Sequence, residues 1–226
     1  RARAESARSV PGPSFASAAA GPLAFYKFYA GEGGMRVPLI MAGAPLLLER
    51  QQTDAFAYVT DITPTILALA DVSAPPGRYG GRPVEPMVGR SLLPLLHAET
   101  DRVYGPDEPI GYELAGNAAL FLGDYKLVRN RPPGGDDQWH LYNIVTDPGE
   151  TRDLAAQMPQ RFALMLDQYD QYAVDNGVLP VSPDYDQASQ GVYNALKERF
   201  TPQILLLVLT FLVLLPFWLF YRYRRA

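Results

Sequence analysis

Phe25-Tyr26-Lys27-Phe28-Tyr29-Ala30-Gly31-Glu32-Gly33-Gly34-Met35-Arg36-Val37-Pro38-Leu39-Ile40 sets one cation among aromatics, then a glycine hinge, then an apolar run. Gly31, Gly33 and Gly34 permit positive φ and close backbone approach, so the stretch reads as a shaped loop. Arg36 to Met41 reads as a short strand entering a core, with Pro38 near its start. Lys27 is the only cation between Arg8 and Arg36, and Phe25, Tyr26, Phe28 and Tyr29 surround it in sequence. Such a lysine can deliver a positive charge to an anionic substrate in a partly dry pocket. The same spacing also fits a surface lysine on an aromatic-rich loop, and spacing alone leaves both open.

On the N-terminal side, Arg1 to Pro22 is rich in Arg, Ala, Ser, Pro and Gly without apolar periodicity, and reads as a loop. It lacks the apolar segment of a signal peptide. On the other side, Val37 to Ala42 is near-continuously apolar, the pattern of a strand buried on both faces. A polar stretch through Gln51-Gln52 follows Gly43-Ala44-Pro45, and Asp54 to Val59 offers a second extended piece. A helix is predicted from Thr60, Asp61 or Thr63 as cap, with Pro64 in its first turn and Ile62, Ile66 and Leu69 on its core face. Pro75 to Pro86 is a Gly/Pro/Arg loop, and Gly89 to Leu96 predicts a short packed helix followed by a solvated His97.

From Ile110 the periodicity becomes that of strands. Ile110 to Leu114, Ala118 to Leu122 and Tyr125 to Arg131 read as antiparallel, with Gly123-Asp124 as a two-residue hairpin turn. A Pro-Pro-Gly-Gly-Asp-Asp loop leads to a fourth strand, Trp139 to Asn143, within which His140 reads as structural. Asp147-Pro148-Gly149-Glu150 is a turn. Asp136, Asp137, Asp147, Glu150 and Asp153 read as solvated acids of turns rather than metal ligands. Pro159 to Asn176 is a helix closed by Gly177, with Phe162, Met165, Leu166, Tyr169 and Tyr172 as its apolar stripe. Packed on the four strands, it makes a small α+β subdomain.

Ile204 to Tyr221 carries no charged residue. At ~1.5 Å per residue its 18 residues reach roughly 27 Å, enough to cross a bilayer core. Trp218, Tyr221 and Tyr223 sit where an interfacial belt belongs, and Arg222, Arg224 and Arg225 follow. The arginine tail is therefore expected on the cytoplasmic side, with the folded part outside. Over 226 residues the net charge is −4, which argues against nucleic acid as a partner. There is no cysteine, which removes disulfides, cysteine metal sites and a cysteine nucleophile from this chain.

Four segments resemble the sulfatases, closest in feel the bacterial arylsulfatases of the alkaline-phosphatase-like superfamily. Lys27 with Gly33-Gly34-Met35-Arg36-Val37-Pro38 is similar to that family's lysine and Gly-Gly-x-Arg-Val-Pro segment. Asp61 to Ala70 resembles its Asp-x-x-Pro-Thr-Leu-Leu-x-Leu-Ala helix, and Gly89 to Leu92 its Gly-Arg-Ser-Leu. Leu141-Tyr142-Asn143 with Asp147-Pro148-Gly149-Glu150 and Asp153-Leu154 resembles its Leu-Tyr-x-Leu…Asp-Pro-x-Glu…Asn-Leu signature.

The resemblance implies an α/β fold. It would comprise the C-terminal portion of a sulfatase domain, a small α+β subdomain of four antiparallel strands with a packed helix, and one transmembrane helix. The boundaries expected are 1–105 for the end of the α/β domain, 106–177 for the subdomain, 178–202 for a linker, 203–222 for the membrane helix and 223–226 for a basic tail. It implies that Lys27 contacts the sulfate group of a small-molecule sulfate ester. It also implies calcium and a formylglycine made from a Cys/Ser-x-Pro/Ala-x-Arg motif. No such motif occurs here, and the family's calcium-binding aspartates lie upstream of the matched lysine. The expectation is thus a membrane-anchored arylsulfatase-like enzyme seen in its C-terminal part, its catalytic domain extracytoplasmic. A phosphate or phosphonate ester hydrolase of the same superfamily, or a noncatalytic membrane-tethered module, remains open at this point.

Overall fold

The structure is a computed structural model that describes residues 13–43, 52–73, 77–182 and 184–225. It divides into two compact units, one ending at Val178 and one beginning at Leu179.

The first unit is organised around a four-stranded antiparallel sheet in the order β3 (Ile110–Leu114), β4 (Asn117–Leu122), β5 (Tyr125–Arg129), β6 (Trp139–Asn143). The expected hairpin joins β4 to β5, with Leu122 opposite Tyr125 and Gly123 at φ 56° in the turn. β5 ends two residues earlier than expected, because Asn130 and Arg131 turn their groups toward other loops. The Asn130 carbonyl accepts from Asp137 N–H at 2.9 Å and the Arg131 carbonyl from Gly135 N–H at 3.0 Å.

Every residue of β4 is buried, so this central strand has two covered faces. On one face Leu120, Leu127 and Leu141 meet Met165 and Tyr169 of α5 (Pro159–Asp175). Fully burying such a leucine contributes about 1.5–3 kcal/mol. The approach is close: a Cβ on Gly111 would lie 2.3 Å from the Tyr172 ring. Asp175 ends the helix, and Gly177 follows at φ 62° as the sequence predicts. On the other face Ala119, Phe121 and Val128 meet Ala30 and Ile144, with Met35 and Phe56 alongside.

Several expectations for the N-terminal part are corrected. Residues 13–20 form a helix, α1 (Pro13–Ala20), where a loop was expected; residues 1–12 lie outside the described residues. Val37 to Ala42 is not a strand. Its backbone is irregular, and Val37 and Ile40 are 77% and 89% exposed. An apolar run becomes a strand only when another strand pairs with it, and among the described residues none does. The expected polar stretch falls largely on 44–51, outside the described residues. Within the predicted loop at 75–86, Arg78–Tyr79 (β1) and Arg82–Pro83 (β2) pair as a small exposed hairpin.

A 3-10 turn, Val59–Asp61, leads into α3 (Ile62–Leu69). The helix does not bury the apolar face expected of it: Ile66 is 57% exposed, while Asp61 and Thr65 are fully buried. Polar bonds orient it instead. The Asp61 carboxylate accepts from the backbone N–H groups of Tyr58 (2.7 Å) and Arg90 (2.8 Å) and from the Tyr104 hydroxyl (2.5 Å). Thr65 Oγ1 accepts from Leu92 N–H at 2.8 Å, just before α4 (Leu93–Leu96).

The second unit is one long helix, α6 (Gln187–Arg225). It begins well inside the span expected as a linker, 178–202. Among the described residues of this unit one helix is long and apolar enough to cross a membrane, its most apolar 18-residue window having a mean hydropathy of 2.6.

Candidate active site

Lys27 lies on the loop between α1 and α2 (Glu32–Met35), the single turn into which the glycine hinge folds. Gly33 and Gly34 are required there by close approach, not by positive φ. A Cβ on Gly33 would lie 2.4 Å from the Phe25 carbonyl oxygen, and one on Gly34 2.3 Å from that of Tyr29. Positive φ falls instead on Phe25 (65°) and Phe28 (86°), on either side of Lys27. Bulky residues adopt that region only where surrounding contacts enforce it.

The aromatics do not enclose the lysine as expected. Phe25 packs tilted and Tyr26 edge-on against Tyr29, each with ring centroids 5.2 Å apart, and Tyr29 is buried. They form the base of the loop, against which Gly134 fits so closely that a Cβ there would lie 2.5 Å from the Tyr29 ring. Lys27 itself is exposed, its Nζ 5.1 Å from the centroid of the exposed Phe28 ring. The cation is presented at a surface rather than held in a dry pocket.

Three side chains hold this loop: Asn117 at the start of β4, Asn130 just past the end of β5, and Glu150 in the turn after β6. Asn117 Nδ2 donates to the Phe28 carbonyl at 2.9 Å, and Asn130 Oδ1 accepts from Ala30 N–H at 2.7 Å. Glu150 Oε2 accepts from Glu32 N–H at 2.9 Å. Beneath them Lys126, with no exposed surface, places its Nζ 2.9 Å from Glu32 Oε1 and 2.9 Å from Glu150 Oε1. Glu32 Oε2 also takes Arg36 Nε at 2.8 Å. Glu150 is therefore not the solvated turn acid expected. Burial pushes its carboxyl above the usual range, against the pull of Lys126. Sequence reading missed Lys126, although its strand partner offers a signal. A lysine paired with Phe121, on the same face as Val128, points into a covered face.

His140 has structural partners, as its reading in the sequence holds. Its Nδ1 lies 2.8 Å from Asp153 and its Nε2 3.1 Å from Asp136. Burial pulls the imidazole down, but the two carboxylates outweigh this and leave it above its ordinary value. It faces a cavity of about 390 Å³ that Phe25, Asn130, Asp136, Tyr142 and Glu150 also line. Asp147 binds the N–H groups of Thr151 and Arg152 within its own turn. His97 stands 3.7 Å from Glu99.

No protein-family model matches the chain. It is 31% identical over 189 residues to an uncharacterized sulfatase of Schizosaccharomyces pombe, covering 83% of this chain and 34% of that protein. It is 24% identical over 186 residues to arylsulfatase K of Xenopus laevis, covering 78% and 31%. The solved structure of Ps i-CgsB in complex with k-i-k-neocarrahexaose matches at 21% identity and a TM-score of 0.57. That match covers 79% of this chain and 37% of the other, and is a likeness of fold. Over most of its length the chain is similar to these sulfatases, and it spans about a third of the length of the curated relatives it matches.

Sulfatases as a family use calcium and formylglycine. Among the described residues no three of His, Cys, Asp and Glu come together to hold a metal ion. The 226 residues contain neither cysteine nor a Ser-x-Pro/Ala-x-Arg segment. The residues present do not fit either group, and the chemistry assigned below passes through neither.

Proposed function

We propose that this chain serves a membrane-anchored, arylsulfatase-like hydrolysis of small sulfate esters, and that Lys27 contacts the sulfate group. The observation that carries the reading is the loop itself. A lysine that follows one strained residue and precedes another is held by Asn117, Asn130 and Glu150 in a chain similar to sulfatases. The sulfuryl oxygens redistribute negative charge as the S–O bond to the leaving group breaks. A fixed ammonium beside them stabilises that charge without reorganising during the step. The exposure of Lys27 suits this role, because the anion must reach it from outside.

The anchor is the apolar part of α6. By the positive-inside tendency Arg222, Arg224 and Arg225 lie in the cytoplasm and the first unit on the extracytoplasmic side. Boundaries near residues 105, 177 and 202 belong to this reading. Phe28, exposed beside the ammonium, suits an aromatic leaving group.

The test is Lys27→Ala in the full-length protein, assayed on an aryl sulfate. Loss of one such stabilising contact costs about 3–4 kcal/mol, so kcat should drop roughly 100- to 1000-fold, and kcat/KM with it. Lys27→Arg should restore only part, since a guanidinium fork does not reproduce a point contact. Wild-type kcat in Lys27→Ala would leave the lysine a surface residue and remove the reading.

A further inference from the structure

The geometry points to Lys126 as a positioning residue for Lys27. It acts with Glu32 and Glu150 as a buried clamp that fixes where the Lys27 loop stands. This deepens the sulfatase reading and rests on it. Arg36, Glu32, Lys126 and Glu150 form a continuous chain of alternating charge, joined at 2.8, 2.9 and 2.9 Å. Its two ends differ in environment. The Arg36 side chain is half exposed, whereas Lys126 and both carboxylates have almost no accessible surface.

Stability alone is a poor reason for such a group. A buried ion pair often gives no more stability than apolar side chains of the same volume, while directional bonds select one geometry. Here the directional bonds fall on one short segment. Glu150 uses one oxygen for Lys126 and the other for the Glu32 N–H, so the same carboxylate joins the ion chain to the loop backbone. With Asn117 on the Phe28 carbonyl and Asn130 on the Ala30 N–H, residues 28, 30 and 32 are each tied to β4 or to the loops that follow β5 and β6. Lys27 precedes the first of these ties directly. The positive φ at Phe25 and Phe28 is what the segment would relax once released. A displacement of about 1 Å at a reacting centre can cost roughly 100-fold in rate. Lys126 never meets the substrate; it acts through the loop.

The test compares wild type, Lys126→Met and Lys27→Ala in the full-length protein, well below the melting temperature. Methionine keeps the stem of the lysine and removes its charge. Amide exchange over residues 28–34 should rise at least 10-fold in Lys126→Met, with the amides of β4 and β5 unchanged. Turnover of an aryl sulfate should show kcat reduced 10- to 100-fold and KM within about 3-fold of wild type. If Lys126→Met does not fold, Glu150→Gln carries the same two measurements, because it keeps an acceptor for the Glu32 N–H but loses the ion pair. Unchanged exchange over 28–34, or wild-type kcat despite a lowered melting temperature, would overturn the proposal. A wild-type protein with no sulfate-ester turnover would instead sink the sulfatase reading. In that case the exchange measurement still decides whether Lys126 holds the loop.

Discussion

Replacing Asp61 with Asn changes one buried oxygen to an amide nitrogen at a position that three donors already serve. In the native protein Oδ2 accepts the Tyr58 N–H at 2.7 Å, and Oδ1 accepts the Arg90 N–H at 2.8 Å and the Tyr104 hydroxyl at 2.5 Å. The amide can keep its oxygen toward Arg90 and Tyr104 only by turning its NH2 toward the Tyr58 N–H. Two donors then face each other in a site without solvent. The charge-assisted bond lost is worth about 1.5–3 kcal/mol, and the orphaned donor costs about 1–3 kcal/mol more. Part of this is regained because a neutral amide is cheaper to bury than a carboxylate. About 2–4 kcal/mol of destabilisation should remain, a fall in Tm of roughly 5–15 °C for a chain of this size. Urea denaturation in detergent, followed by Trp139 fluorescence, reads the global effect. Exchange at the Tyr58 and Arg90 amides reads the local one. Tyr104→Phe, which removes one neutral donor and leaves the other two paired, should cost only about 0.5–1.5 kcal/mol. An Asp61→Asn protein within about 0.5 kcal/mol of wild type would mean that these bonds do not orient α3.

The His140 imidazole is raised in the fold, so it contributes stability fully below its unfolded value near 6.5 and loses it as pH climbs through the higher folded value. Melting temperature should therefore decline as pH rises above about 6.5, and His140→Asn should flatten that slope. Asp136 and Asp153, both lowered by hydrogen bonds, act in a separate acidic window below their ordinary 3.8 and should leave this slope alone. Removing residues 203–226 should release the protein from membranes that are washed at alkaline pH. Continued sedimentation of the truncated protein would place the anchor elsewhere.

The parts of the fold legible in the sequence are those whose signals are local. The β4–β5 hairpin follows from Gly123-Asp124 between apolar runs, and α5 from Pro159 at one end and Gly177 at the other. Val37 to Ile40 misleads for a physical reason: composition reports a strand's readiness to pair, whereas pairing depends on a neighbour that the run does not specify. Ile62 and Ile66 mark an apolar stripe, yet the helix is oriented by Asp61 and Thr65, whose partners lie 27 to 43 residues away. Lys27 is legible because it is isolated. Its supports are not, because Asn117, Lys126, Asn130 and Glu150 look like ordinary turn and strand residues until the sheet brings them beneath the loop.

That distance along the chain has a consequence for synthesis. The Ala30 N–H waits for Asn130, 100 residues later, and the Glu32 N–H for Glu150, 118 residues later. At roughly 5–20 residues per second, the partners of the Lys27 loop leave the ribosome about 6 to 24 s after the loop itself. Until then Glu32 has only its neighbour Arg36 as an ionic partner, and the ties from Asn117, Asn130 and Glu150 that hold the segment of Phe25 and Phe28 are missing. The C-terminal sheet therefore forms before it can capture the loop, so a segment with two phenylalanines at positive φ is among the last to become ordered.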